Sequence, residues 1–190
     1  LARRAVPPDL RRYESSLFRL HFAPAPVLRL QAAVLRRAFP PDPGARPLVL
    51  YYSRGDCDKR HVASEAALLA ALDKRFDGRI EVLPWQGGAT PDVERAARDW
   101  SRAALVVGPH GAGLANMIHC QPGTTVLVLP AADAAGAPSA SDDYFVHFAR
   151  ALDLDLNFFR IDSPPAMFHN YSRFSDVEVA SIVDAAERAL

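Results

Sequence analysis

The apolar positions of this chain alternate between two spacings. At 48–53 the run Leu-Val-Leu-Tyr-Tyr-Ser is apolar, β-branched or aromatic, 80–85 is a similar run, and between them 62–76 carries apolar residues at helical spacing. The pattern then repeats. A helical stretch follows Gly87-Gly88, with Thr90 and Glu94 signalling its start and Val93, Ala96, Ala97 and Trp100 on one face. A strand is expected at 103–107, a short helix at 111–119, a strand at 124–129, a helix at 144–152, a strand at 154–161 and a last helix at 176–190.

Strands separated by helices predict a parallel sheet covered on both faces, and such strands read as the near-continuous apolar runs seen here. The expected fold is α/β, a Rossmann-like doubly wound parallel sheet. Ligands of such sheets bind beyond the carboxyl ends of the strands, so the loops after Ser53, Trp85, Val107 and Leu129 are the places to seek chemistry. Ahead of this unit, 10–22 and 27–39 read as amphipathic segments, and Phe39-Pro40-Pro41-Asp42-Pro43-Gly44 cannot continue a helix. The chain thus divides into an N-terminal helical segment with a Pro-rich linker, 1–45, and a ligand-binding domain, 46–190. The small and polar stretch 131–141 reads as a surface loop.

Composition narrows the partners. Of 190 residues, 49% are apolar and 23% charged, the balance of a globular domain, and 22 basic side chains cancel 22 acidic ones. No global field draws the chain to nucleic acid, so a polyanion has to be met locally. No run approaches the ~20 apolar residues of a membrane span, and no charged-then-apolar stretch in these residues reads as a signal peptide. The chain starts at Leu1 inside an arginine-rich helical pattern, which reads as a piece of a longer protein. Membrane association is expected only through an anchor upstream. Cys57 and Cys120 are too few for a disulfide framework and lack zinc-site spacing; both are expected near the ligand-binding edge, unbonded to each other.

The most informative segment is Val107-Gly108-Pro109-His110-Gly111-Ala112-Gly113-Leu114, which leaves a strand and enters a helix within a few residues. Its glycines permit positive backbone angles and close approach of an anion, and amides at a helix start suit a diphosphate. A tight turn without ligand satisfies the same glycines. The spacing is neither a dinucleotide fingerprint nor a Walker loop, and no nucleophile elbow exists beside Ser53 and His61.

The string VGPHGAGLANMIHCQPGTTVLVLP at 107–130 resembles the hallmark segment of the family 61 glycosyltransferases, which include plant xylosyl- and arabinosyltransferases and animal protein O-linked N-acetylglucosaminyltransferases. YYSRGDCDKRHVASEAALLAAL at 51–72 is similar to the family's other motif, a Ser-Arg pair followed by a basic residue and then an acid at a helix start. The resemblance implies the C-terminal, donor-binding lobe of a GT-B type enzyme. The implied reaction is transfer of a sugar from a nucleotide-sugar donor, a UDP-sugar foremost, to a glycan or protein hydroxyl, inverting and with no metal or other cofactor. A non-catalytic nucleotide-sugar-binding module is the alternative. Carried over by position, the resemblance places Arg54 and Arg60 near the donor phosphates, Glu65 near the nucleotide or as partner of those arginines, and Gly108, His110, Gly111, Ala112, Gly113 and Leu114 around the diphosphate.

Arg54, just past a strand end, suits bidentate phosphate binding. Arg60 also reads as a solvated loop charge, and Glu65 as a first-turn acid complementing the helix dipole. His110 is the candidate catalytic residue; His61, Asp56 and Asp142 are further candidates for the general base. Val128 stands where many family members carry Glu or Gln. Asp56-Cys57-Asp58 and Asp153-Leu154-Asp155 have the D-x-D form that holds a cation in another glycosyltransferase fold, but the first lies beside Arg54, Lys59 and Arg60 and the second at a helix-to-strand junction. Asn170-Tyr171-Ser172 is a glycosylation sequon, and Phe168, His169, Tyr171 and Phe174 could line an acceptor cleft or simply pack. Eukaryotic relatives imply a Golgi or endoplasmic reticulum lumen, bacterial ones the cytoplasm.

Overall fold

The computed structural model describes residues 23–45, 47–56, 61–87, 92–129, 142–159, 171–172 and 176–190. A helix α1, Ala25–Ala38, precedes strand β1, Leu48–Tyr52. There follow β2 (His61–Val62), α2 (Glu65–Phe76), β3 (Glu81–Trp85), α3 (Val93–Trp100) and β4 (Ala103–Pro109). A 3-10 helix, Ala112–His119, leads to β5 (Thr125–Leu129), α4 (Asp142–Ala151), β6 (Asp155–Phe158), β7 (Tyr171–Ser172) and α5 (Asp176–Arg188). Five strands form one sheet in the order β3-β1-β4-β5-β6, every pair parallel. The two short strands β2 and β7 pair separately. The fold is therefore α/β and Rossmann-like, as the alternating pattern predicts.

Strand alternation sorts the core into two layers. Leu48, Leu50, Tyr52, Val106, Val126 and Val128 face one way, against α1, α3, the 3-10 helix and α4, through Leu28, Trp100, Met117 and Phe148 among others. Val49, Tyr51, Leu105, Val107, Leu127 and Leu129 face the other way, against α2 and α5 through Leu68, Leu72, Ile182 and Val183. Arg75 of α2 ties those two helices together by ion pairs to Asp184 and Glu187.

Helix α1 lies on this core. Leu28 and Ala32 are buried in it, Arg29 donates to the Ala151 carbonyl at 3.0 Å and Arg36 to the Cys120 carbonyl at 2.9 Å. The helix read as preceding the compact unit thus packs on it. The segment 10–22 lies outside the described residues, as do Arg46, the whole of 131–141 and the Asn170 of the sequon. Among the described residues no helix is long and apolar enough to cross a membrane.

Several expectations change in detail. The start of α3 is capped by Asp92, whose carboxylate accepts from Arg95 N at 2.8 Å; Thr90 lies outside the described residues. The helix expected from Val62 begins at Glu65, because His61 and Val62 are drawn into pairing with β7. The helix after the glycine loop is 3-10, not α, with Leu114 N bonded to Gly111 O at 3.0 Å and Cys120 N to Met117 O at 3.0 Å. Eight residues at about 2.0 Å rise span about 16 Å. That matches a five-residue strand at about 3.3 Å per residue, whereas an α-helix would cover about 12 Å. The narrower, more extended coil returns the chain from the carboxyl edge of β4 to the amino edge of β5 in so few residues. Cys120 is consequently a buried free thiol at the amino edge, next to Gln121 and the strand starts, and not at the ligand-binding edge as expected. Cys57 lies outside the described residues.

Candidate functional site

From β1 the chain crosses outward to β3 and then returns over β1 to β4, so the direction of winding reverses between β1 and β4. The crevice beyond the carboxyl ends of those two strands is where open α/β sheets bind ligands. The Ser53-Arg54 pair leaves β1 on one side of it, and the glycine loop leaves β4 on the other.

Ser53 anchors the first side. Its amide donates to Trp85 O at 2.8 Å, extending the β1–β3 ladder by one residue. Its hydroxyl, 1% exposed, donates to the Glu65 carboxylate, 2.8 Å from Oε1 and 3.0 Å from Oε2, and accepts from Gly55 N at 3.1 Å and Gln86 Nε2 at 3.3 Å. One donor and two acceptors exhaust what a hydroxyl offers. Glu65 is thereby the acid that ties the start of α2 to the end of β1. Burial, and then the nearby Glu65 charge, push the Tyr51 phenol pKa up. Beside this network lies an open recess of about 350 Å³ lined by Ser53, Glu65, Pro84, Gln86 and Arg95.

Tyr52 turns to the opposite face and meets the glycine loop. A Cβ on Gly108 would stand 2.7 Å from the Tyr52 carbonyl oxygen and 2.8 Å from its Cβ, and one on Gly113 would collide with the Tyr52 ring and hydroxyl. The ring is flanked by Trp85 and Trp100, centroids at 6.3 and 6.2 Å, which meet each other edge-on at 5.4 Å. Arg95 lies over Trp85, 5.5 Å from the ring centre. Arg54 Nη1 donates to the Tyr52 hydroxyl at 3.3 Å, and the same guanidinium occupies the space that a side chain on Gly111 would need.

These contacts correct the reason for the glycines. Among the described residues, positive backbone angles occur at Asp77, Gly78, Gly123 and Asp153, and at none of the three loop glycines. Gly111 has φ 175°, an extended conformation open to any residue. What Gly108, Gly111 and Gly113 supply is lateral room for Tyr52 and Arg54.

His110, the candidate catalytic residue, is enclosed. Its amide donates to Leu129 O at 3.1 Å, which carries the β4–β5 ladder one residue past Pro109. The imidazole is 7% exposed and meets Phe145 of α4 edge-on at 5.0 Å, so it is set into the wall and does not project into open solvent. Ala112 is exposed at the start of the 3-10 helix, while Leu114 is fully buried with its amide bonded to Gly111 O. Asn116 Nδ2 donates to Gly113 O at 2.9 Å and braces the turn. Val128 is buried in the core.

The structure brings Arg54, Glu65 and the loop 108–113 to one edge. Arg60, with Cys57, Asp58 and Lys59, lies outside the described residues. Asp153 and Asp155 are both exposed at the head of β6, and no cluster of three metal-ligating side chains occurs among the described residues. Tyr52, Gln86, Arg95 and Phe145 were not singled out from sequence. For Tyr52 a signal existed: it stands two residues before Arg54, so strand alternation puts both on one face.

Comparison with solved structures finds a likeness to a diflavin flavoprotein A3 from Nostoc sp., at 16% identity over 75% of this chain and 90% of that chain, with a TM-score of 0.48. Neither function nor fold detail transfers at that distance. Comparison with curated proteins returns no match. The family model described as Glycosyltransferase 61 matches residues 12–127, well over half the chain, and spans both the Ser-Arg motif and the glycine loop. The chain belongs to the family 61 glycosyltransferases.

Proposed function

We propose that the crevice between Arg54 and the glycine loop binds the diphosphate of a nucleotide-sugar donor, a UDP-sugar foremost, for inverting transfer to a glycan or protein hydroxyl without a metal. The observation that carries this reading is the placement of the Arg54 guanidinium directly over Gly111 at the switch point of the sheet. A guanidinium fork and the first amides of the helix at Ala112 and Gly113 would meet the negative charge that grows on the departing diphosphate. Arg60 and Glu65 belong to the same proposal, Arg60 as a second phosphate contact and Glu65 as the acid that orders the Ser53-Arg54 turn.

Inversion needs a base to take the acceptor hydroxyl's proton. His110 is our candidate. Its ring is buried against Phe145 with Nε2 enclosed, so taking that proton would require the ring to turn toward the crevice. The acceptor itself would be held by a further lobe, as in GT-B type enzymes.

Calorimetric titration with UDP in the presence of chelator tests the donor site. Saturable binding is expected, weakened about ten- to a hundredfold by Arg54→Ala, the loss of one charge-assisted contact of roughly 1.5 to 3 kcal/mol. Binding that appears only with added manganese, or an Arg54→Ala variant with full affinity, would overturn the reading.

Val128 favours a second reading, a donor-binding module without transfer. It is an apolar side chain sealed in the core at the position where many relatives carry Glu or Gln. Turnover separates the two: release of UDP from a UDP-sugar with acceptor present supports the enzyme, and tight binding with no release across a panel of sugars supports the module.

A further inference from the structure

We propose that Tyr52 is a positioning residue, whose hydroxyl, held in a slot between Gly108 and Gly113, sets the orientation of the Arg54 guanidinium over Gly111. The inference rests on the reading of the crevice as a diphosphate site. The slot is defined on every side that the structure describes. Gly108 and Gly113 lack the Cβ atoms that would strike the tyrosine, and Trp85 and Trp100 flank the ring. Tyr52 itself lies in β1, a central strand paired with both β3 and β4, and is 5% exposed. A ring fixed this way has its hydroxyl oxygen fixed as well.

Arg54 is the opposite kind of residue. It stands in the turn after the strand, is half-buried, and has a long side chain with much rotamer freedom to lose on gripping a ligand. The bond from Nη1 to the phenol oxygen at 3.3 Å ties that freedom to the rigid end of the sheet. Ser53, between the two residues, is pinned by its own network, so the backbone carrying Arg54 is held as well. Pre-ordering of a binding side chain raises affinity by lowering the ordering cost. Tyr52 therefore acts on the diphosphate through Arg54, without needing to touch it.

A double-mutant cycle on the whole chain tests this, with UDP titrated in chelator against wild type, Tyr52→Phe, Arg54→Ala and the double variant. Tyr52→Phe keeps the ring in its slot and removes only the hydroxyl. It is expected to weaken UDP about three- to tenfold in the wild-type background and to have no effect once Arg54 is alanine. An equal loss in both backgrounds, or no loss with Arg54 present, would overturn the positioning role. If Arg54→Ala itself leaves affinity unchanged, the diphosphate reading fails instead, and a second measurement still decides the positioning. Nitrogen relaxation of the Arg54 guanidinium in the ligand-free protein should show an ordered group in wild type and a mobile one in Tyr52→Phe; equal order in both would refute the tether.

Discussion

The Ser53 hydroxyl donates to the Glu65 carboxylate at 2.8 Å, joining the end of the first sheet strand to the first turn of α2. The oxygen also accepts from Gly55 and Gln86, so its removal strands donors on two further segments. Ser53→Ala should lose about 1 to 3 kcal/mol of stability, the cost of leaving a buried polar partner unsatisfied. A urea midpoint unchanged from wild type would show the network to be slack. Lys74→Ala, on the exposed face of α2, should leave both stability and UDP affinity unaltered.

Two neighbouring glycines should fail in different ways. A methyl at Gly113 meets a tyrosine ring that cannot move aside, so Gly113→Ala should destabilise by roughly 1 to 3 kcal/mol through overpacking. At Gly111 the obstacle is the far end of the Arg54 side chain, which can swing away. Gly111→Val should therefore melt close to wild type and lose UDP affinity about as far as Arg54→Ala. Thermal melts and titrations on the same two samples check both halves, and reversed outcomes would refute the packing argument. Gly78, with φ 69° after α2, serves as the contrast: alanine there meets open space but a strained angle, for about 1 kcal/mol of stability and no change in binding.

His119, at the end of the 3-10 helix, is buried, and burial holds its pKa below the ordinary value. The unfolded chain then takes up the proton first as pH falls. Its contribution is present above about pH 6.5, the ordinary histidine value, and is lost on acidification. Denaturant midpoints should drop between pH 7.5 and 5.5, and His119→Gln should flatten that drop. A variant with the wild-type slope would assign the acid sensitivity elsewhere.

Burial pushes the Cys120 thiol up to about 12, although Arg36 beside it pulls the other way. The native thiol should resist iodoacetamide at pH 8 and react once the chain unfolds, as mass spectrometry of alkylated protein would show. Because the folded value lies above the unfolded one, stability from this group is full below about pH 9 and is lost as pH rises towards 12. Rapid native labelling of Cys120 would contradict its placement under α1.

All five strands of the main sheet are legible: the three central ones because runs buried on both faces stay apolar, and the half-exposed edge strands β3 and β6 because short apolar runs there stand between helical stretches. Their order is not. That Arg54 and Gly111 meet depends on β1 lying next to β4, and local sequence carries no record of which strand is whose neighbour. The same blindness hid Tyr52, which reads as one more aromatic core residue until Gly108 and Gly113 are set opposite it. The glycine loop was recognised for its chemistry, yet its glycines were ascribed to backbone angles when they answer a side chain 56 or more positions earlier in the chain. The sequence ends this strand at Val107 and leaves His110 to a solvent-facing cleft; the strand in fact runs to Pro109 and its ladder reaches His110, which draws the ring inward.

Strand β3 has β1 as its sole partner in the described sheet, which leaves its other side exposed to any passing extended chain. Trp85 turns its carbonyl inward to Ser53 N, so the preceding residue, Pro84, turns its nitrogen outward. That nitrogen carries no hydrogen. A foreign strand aligning on this flank finds a missing donor and a ring one residue short of the strand's carboxyl end, where a valine would have completed the row. The proline thus guards the chain against self-association at the flank nearest its recess, and costs the sheet none of its own ladder.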